Sequence, residues 1–165
     1  MIIYYAFIDE FYKTHDLKLP EFKSVKHAKE FALGRYIVQQ IAQKQFNITD
    51  EIILDNKKPV FKNNKNLHFS ITHSNNIVAV AFDDVPVGID IEQIIERKYE
   101  KIAKRYGKKF DNIKDFYTWW TTYEAKIKCP QARFINTFEL RDGYICTAVS
   151  EKKFKYNTYL VKYFN

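Results

Sequence analysis

Between Leu67 and Ile91 the chain passes through three short apolar, β-branched stretches separated only by turn-forming residues. Leu67–Thr72, Ile77–Phe82 and Val85–Ile91 are joined by His73-Ser74-Asn75-Asn76 and Asp83-Asp84. Strands joined by connections this tight must double back on one another, because a parallel pair needs a crossover of a dozen residues or more. The segment therefore predicts an antiparallel meander, and anything helical must be placed around it. Ile2–Ile8 reads as a first strand. Ile52–Leu54 and Val60–Phe61 read as short strands about a turn at Asp55–Lys58.

Helical periodicity appears on both sides of the meander. From Val25 to Lys44 the apolar residues Val25, Ala28, Phe31, Ala32, Val38, Ile41 and Ala42 recur at steps of three and four, and Ser24 suits the N-cap. Gly34 inside this helix costs about 1 kcal/mol against Ala, so either close packing or the approach of a ligand should require it. Tyr99–Tyr106 and Asp115–Lys128 read as two further helices, with Gly107 between them and Pro130 after the second. Phe134–Leu140, Tyr144–Val149 and Lys155–Tyr163 then read as three antiparallel strands, the first two turning at Asp142-Gly143. The order is that of an α+β chain in two helix-plus-antiparallel-sheet halves, residues 1–86 and 87–165, forming one compact unit.

A net charge of +7, from 27 Lys and Arg against 20 Asp and Glu, points to an anionic partner or to a lysine-rich solubilising surface. Aromatic residues are too abundant for a disordered chain. Their helical spacing marks most of them as core, which argues against a nucleic-acid-binding protein. The two cysteines, Cys129 and Cys146, form no C-x-x-C pair, which argues against a zinc or redox motif and for a reducing compartment. No apolar run approaches the roughly 20 residues that span a bilayer. The start, MIIYYAFIDEF, reads as a strand and not as a signal peptide, so the expected location is the cytoplasm.

Chemistry concentrates in a few places. In VGIDIE, alternation along a strand puts Asp90 and Glu92 on one face, just after Gly88. In FYTWWTTYEAKIK, Glu124 and Lys128 are four apart and share a helix face. Three carboxylates and a cation are suitable parts for holding magnesium against a phosphate. FSITHSNN adds Thr72, His73 and Ser74, and NKKPVF adds Lys57, Lys58 and Pro59. Taken singly, these have ordinary explanations: a solvated strand edge, a surface ion pair, a turn. A serine hydrolase is disfavoured because no G-x-S-x-G elbow is present.

In their order and spacing, KKP, FSITHS, VGIDIE and WTTYEAKIK resemble the motifs of the 4′-phosphopantetheinyl transferase superfamily, from about Lys57 to Lys128. Length and paired halves are more similar to its surfactin-type, pseudo-dimeric branch than to the trimeric holo-acyl-carrier-protein synthases. The resemblance implies two halves related by a pseudo-two-fold, the first on the coenzyme A side and the second carrying the metal ligands and the helix glutamate. It implies Asp90, Glu92 and Glu124 as Mg²⁺ ligands and Lys128 as a pyrophosphate contact. Thr72 and His73 would bind a coenzyme A phosphate, Lys58 and Pro59 would border the adenine nucleotide, and Arg35, Lys26 and Lys29 are further phosphate contacts. Glu124 or Asp111 would take the proton from a carrier-protein serine. Lys57, Tyr123 and Thr72 depart from the family's usual glycine, lysine and serine.

The implied protein is a monomeric, Mg²⁺-dependent transferase. It would move the phosphopantetheine arm of coenzyme A to an acyl or peptidyl carrier protein, with no nucleic-acid or membrane partner. The alternative is a non-catalytic coenzyme A or nucleotide-binding module of the same fold. Which carrier is served, fatty-acid, polyketide or peptide, stays open.

Overall fold

A computed structural model describes residues 1–96 and 99–162. Strand β1 (Ile2–Phe7) leads into a single helical turn, α1 (Ile8–Phe11), and then, after an irregular segment, into the long helix α2 (Val25–Phe46). Ser24 caps α2 by accepting from the His27 amide at 3.3 Å, and Asn47 ends it in the left-handed conformation. The buried face of α2 is Ala28, Leu33, Ile37, Val38, Ile41 and Ala42, whereas Val25 and Phe31 of the apolar series lie exposed. Gly34 is the point of closest approach to the sheet: a Cβ there would stand 2.8 Å from Ile71 Cγ2.

A hairpin, β2 (Ile52–Asp55) with β3 (Lys58–Phe61), precedes β4 (His68–Ser74), β5 (Ile77–Asp83) and β6 (Val87–Gln93). Helices α3 (Glu100–Arg105) and α4 (Ile113–Lys128) follow, then β7 (Phe134–Arg141), β8 (Tyr144–Ser150) and β9 (Asn157–Leu160). Asn112 caps α4 by accepting from the Asp115 amide at 2.9 Å, so this helix begins two residues before the sequence pattern suggested.

The chain is α+β, with the strands in a four-stranded sheet β4-β5-β1-β9, a three-stranded sheet β6-β8-β7 and the β2-β3 hairpin. Three expectations need correction. His73 and Ser74 belong to β4, paired with Val78 and Ile77, so only Asn75 and Asn76 make the turn. β6 is not the third strand of a meander with β5; its backbone pairs antiparallel with β8. β9 does not extend the last antiparallel set but pairs in parallel with β1, Ile2 opposite Asn157, which carries it into the first sheet. Tyr163, the expected end of that strand, lies outside the described residues.

Alternation distributes the core. On β5, Val78, Val80 and Phe82 face α2. Ile77, Ala79 and Ala81 face the second sheet, where they meet Ile89, Ile91, Cys146 and Ala148. The opposite face of the second sheet receives α4 through Phe116, Tyr117 and Ile145 and through Ala125 and Val149. Both cysteines are free thiols and buried. Among the described residues no helix is long and apolar enough to cross a membrane.

Candidate functional site

The two sheets are joined by side chains along the free edge of β6. An edge strand leaves amides unpaired, and buried amides need acceptors. Ser70, Thr72 and Ser74 project from one face of β4 at the strand period of two. Their hydroxyl oxygens accept from the amides of Ile89, Ile91 and Gln93 at 3.2, 3.2 and 3.1 Å. Two of these hydroxyls donate onward: Thr72 to Asp90 Oδ1 at 3.1 Å, and Ser74 to Glu92 Oε2 at 2.9 Å. The same residues that fasten β4 to β6 thus orient the β6 carboxylates.

Helix α4 crosses the other face of β6. Gly88 makes this possible, since a Cβ there would collide with the Ala125 carbonyl oxygen. The close crossing brings Lys128 over the strand, where its Nζ donates to Asp90 Oδ1 and to the Ile89 carbonyl, both at 2.8 Å. Asp90 is 7% exposed, and burial raises its carboxyl above the ordinary range against the pull of Lys128 and Thr72. Glu124, one turn before Lys128, is raised by burial and then by the charge of Asp90. Asp90, Glu124 and Lys128 therefore form one electrostatic group spanning strand and helix.

Other sequence-selected residues stand at varying distances from this group. Lys58 Nζ donates to the Lys128 carbonyl at 2.8 Å and to the Val87 carbonyl at 3.4 Å, closing the C-terminal end of α4 against the start of β6. Burial pushes the Lys58 ammonium down from its ordinary value. Pro59 pairs with Leu54 in the β2-β3 hairpin. Arg35 lies in a groove of α2 with Leu17, Pro20 and Tyr36, its guanidinium 5.2 Å from the centre of the Phe31 ring. Asp111 precedes the α4 cap, about 16 Å of helix axis from Glu124. Tyr123 packs among Tyr106, Trp119 and Trp120.

His73 projects from the opposite face of β4 to Thr72, toward α2. Its Nδ1 is 3.5 Å from Glu30 Oε2, and Glu30 is itself 3% exposed. Burial holds His73 below its ordinary value; Glu30 opposes this, while Lys128 and His27 reinforce it. Neither Glu30 nor the hydroxyl series stands out in the sequence. The signals present are that Glu30 is the sole acid of α2 and that Ser70, Thr72 and Ser74 alternate on one strand.

Among the described residues no three His, Cys, Asp or Glu side chains form a group that could hold a metal ion by themselves. The donor chemistry of Asp90, Glu92 and Glu124 nonetheless suits a hard divalent cation. All are carboxylates, and burial raises the carboxyls of Asp90 and Glu124 above their ordinary values even with Lys128 beside them, a penalty that a divalent cation would relieve. Magnesium in particular is bound by one or two carboxylates together with waters and substrate phosphates, not by an all-protein cage.

No family model matches the chain. Among curated proteins it is 33% identical over 118 residues to the 4′-phosphopantetheinyl transferase gsp of Aneurinibacillus migulanus, covering 64% of this chain and 49% of that protein. It is 31% identical over 126 residues to the 4′-phosphopantetheinyl transferase Sfp of Bacillus subtilis strain 168, covering 67% and 56%. With the 4′-phosphopantetheinyl transferase psf-1 of Bacillus pumilus it shares 35% identity over 77 residues, 44% of this chain and 33% of that protein. The chain spans about half the length of the curated relatives it matches.

Proposed function

The chain belongs to the surfactin-type 4′-phosphopantetheinyl transferase family, and from that premise we propose that it transfers the phosphopantetheine arm of coenzyme A to a serine of an apo carrier protein. The observation that carries this reading is the group made by Asp90, Lys128 and Glu124 where α4 crosses β6 at Gly88. It holds two carboxyls whose charged form burial disfavours and an ammonium at one spot, an arrangement suited to receiving a polyphosphate with a divalent cation.

In this reading Asp90, Glu92 and Glu124 would hold Mg²⁺ beside the coenzyme A pyrophosphate. The metal, when bound, supplies charge neutralisation on the phosphate under attack and on the leaving group. Lys128 fixes Asp90 and contributes its own charge beside the pyrophosphate. Thr72 and Ser74 hold the strand carboxylates in place. The serine oxygen attacks the β-phosphorus, the bond to the bridging anhydride oxygen breaks, and 3′,5′-ADP departs. Glu124 takes the serine proton; its raised carboxyl brings it nearer to the working range of a general base. We assign this task to Glu124 and not to Asp111, which lies at the other end of α4. Lys58, Pro59, Thr72, His73 and Arg35 are the proposed coenzyme A side of the site.

Residues 1–86 and 87–165 are the proposed halves, related by a pseudo-two-fold. In support, α2 lies on the antiparallel pair β4-β5 much as α4 lies on β6-β8. The net charge of +7 would steer an acidic carrier toward the protein. A cytoplasmic monomer is the form in which we place this activity.

The test is to mix the protein with coenzyme A, Mg²⁺ and apo carrier proteins of fatty-acid, polyketide and peptide origin, then weigh each carrier. Gain of the phosphopantetheine arm on one of them is the expected result. Binding of coenzyme A with no gain on any carrier would replace the transferase by a non-catalytic binding module.

A further inference from the structure

Gly88 sets how closely α4 approaches β6, but a helix resting on one point can still roll about its axis. Glu124 and Lys128 meet the strand at only one angle of roll. Thr121 lies three residues before Glu124 and seven before Lys128, a spacing that puts all three on one helix face. It is fully buried, and so is Thr147 of β8, which stands opposite Asp90 in the β6-β8 ladder. The hydroxyl oxygens of Thr121 and Thr147 are 2.8 Å apart. On the other side of Thr147 stands Thr137 of the edge strand β7, its hydroxyl 2.9 Å away.

Each hydroxyl has one proton, and this fixes the direction of the whole row. Thr121 donates to the Tyr117 carbonyl at 2.9 Å, with the Thr118 carbonyl at 3.3 Å. Toward Thr147 it can therefore only accept. Thr147, having given its proton to Thr121, can only accept from Thr137. The order Thr137 to Thr147 to Thr121 to carbonyl leaves no spare proton in the buried part of the row. Asp90 is the group this spares. Opposed side chains of an antiparallel pair share a face, with Cβ atoms about 4.5–5.5 Å apart. A Thr147 hydroxyl with no other acceptor would thus have the Asp90 carboxylate within reach. Instead Thr72 and Lys128 both meet Oδ1, and among the described residues no hydrogen bond reaches Oδ2.

We propose that Thr121 and Thr147 are positioning residues of the transfer site. Their bond sets the roll of α4 that aims Glu124 and Lys128 at Asp90, and its direction keeps the Thr147 proton off Asp90, so that Oδ2 stays open to the divalent cation. The inference rests on the proposed function and adds to it two residues that touch neither substrate nor metal.

The test compares variants that break this row at different points. Mg²⁺ is titrated calorimetrically into the protein with coenzyme A present, beside transfer to an apo carrier and urea unfolding. Thr121→Val and Thr147→Val break the same bond, but only Thr121→Val leaves a buried proton facing Asp90. Thr121→Val should weaken Mg²⁺ binding by about tenfold or more, with transfer falling at least as far. Thr147→Val and the double variant should both bind Mg²⁺ more tightly than Thr121→Val, although the double variant is the least stable of the three. Thr121→Ser should restore Mg²⁺ affinity and transfer. Thr137→Val removes only the first donor and should leave both unchanged, whatever it costs in urea. Mg²⁺ affinities that follow the urea midpoints, or a folded Thr121→Val that binds Mg²⁺ and transfers like the wild type, overturn the inference and leave the transferase reading intact. If Thr121→Val unfolds, Thr147→Val against Thr137→Val decides, since both lose the Thr137 bond and only the first loses the Thr121 bond. Transfer should then be about tenfold lower in Thr147→Val, and equal transfer overturns the inference. A wild type that binds neither coenzyme A nor Mg²⁺ and transfers to no carrier overturns the proposed function and this inference together.

Discussion

The carbonyl oxygen of Ala125 occupies the space in which a side chain at Gly88 would have to begin. This contact sets the height of α4 above β6, and with it the reach of Lys128 to Asp90. Gly88→Ala must therefore lift the helix or bend the strand. Overpacking of this kind should cost about 1–3 kcal/mol, read as a lower urea midpoint. Phosphopantetheine transfer should fall further than stability does, since the Asp90–Lys128 contact is made only at this crossing height. An unchanged midpoint would show that the helix tolerates the displacement.

Thr72 serves the strand on one side and the carboxylate on the other. Thr72→Val keeps the shape and removes the hydroxyl, leaving the Ile91 amide without its acceptor and Asp90 with Lys128 but without the Thr72 donor. The expected loss is about 1–3 kcal/mol, with faster hydrogen exchange at Ile91 than at its β6 neighbours. Thr72→Ser should restore both, because the hydroxyl is what the seam uses.

Glu124 offers a pH signature. Burial first, and then the Asp90 charge, hold its carboxyl above the ordinary value of 4.5, with Lys128 opposing. A carboxyl raised on folding binds its proton more tightly in the native than in the unfolded state. Its ionisation therefore subtracts from stability as pH rises from the ordinary value through the raised one. Glu124→Gln removes that loss. In paired melts the two proteins should match in acid, and the variant should melt higher at neutral pH. Added Mg²⁺ should raise the wild-type melting temperature more than that of the variant. Transfer by Glu124→Gln should drop by about 100-fold or more.

Lys58 is predicted to matter for stability before substrate enters. Its ammonium closes the C-terminal end of α4 through the Lys128 carbonyl. Lys58→Met should cost about 1 kcal/mol or more in denaturant unfolding. An effect confined to nucleotide affinity, with the unfolding midpoint unchanged, would contradict this.

Much of this could be read from the residues. Long amphipathic segments, the Ser24 cap, the need for glycine at positions 34 and 88, and the shared face of Glu124 and Lys128 follow from local periodicity and sterics. The pairing of β6 does not. Its edge amides are met by hydroxyls, and serine or threonine in a strand carries no mark of which backbone it will serve. His73 and Ser74 look like part of a turn because both are polar, yet their strand continues to carry the seam on one face and the Glu30 contact on the other. Glu30 itself looks like half of a surface pair with Lys26, four residues away. Only the packing of α2 on β4 reveals that its carboxylate is covered.

The parallel pairing of β9 with β1 has a consequence for how the chain is made. Ile2 is made long before its neighbour Asn157, which follows only after β6, α4 and β8 have been produced. The first sheet therefore waits, with one edge of β1 open, until the second half is available to close it. Contacts this distant in sequence slow folding. An open strand edge meanwhile invites pairing with other chains. Removing residues 157–160 would leave that edge permanently available, so the first consequence of truncation should be self-association, ahead of any loss of chemistry.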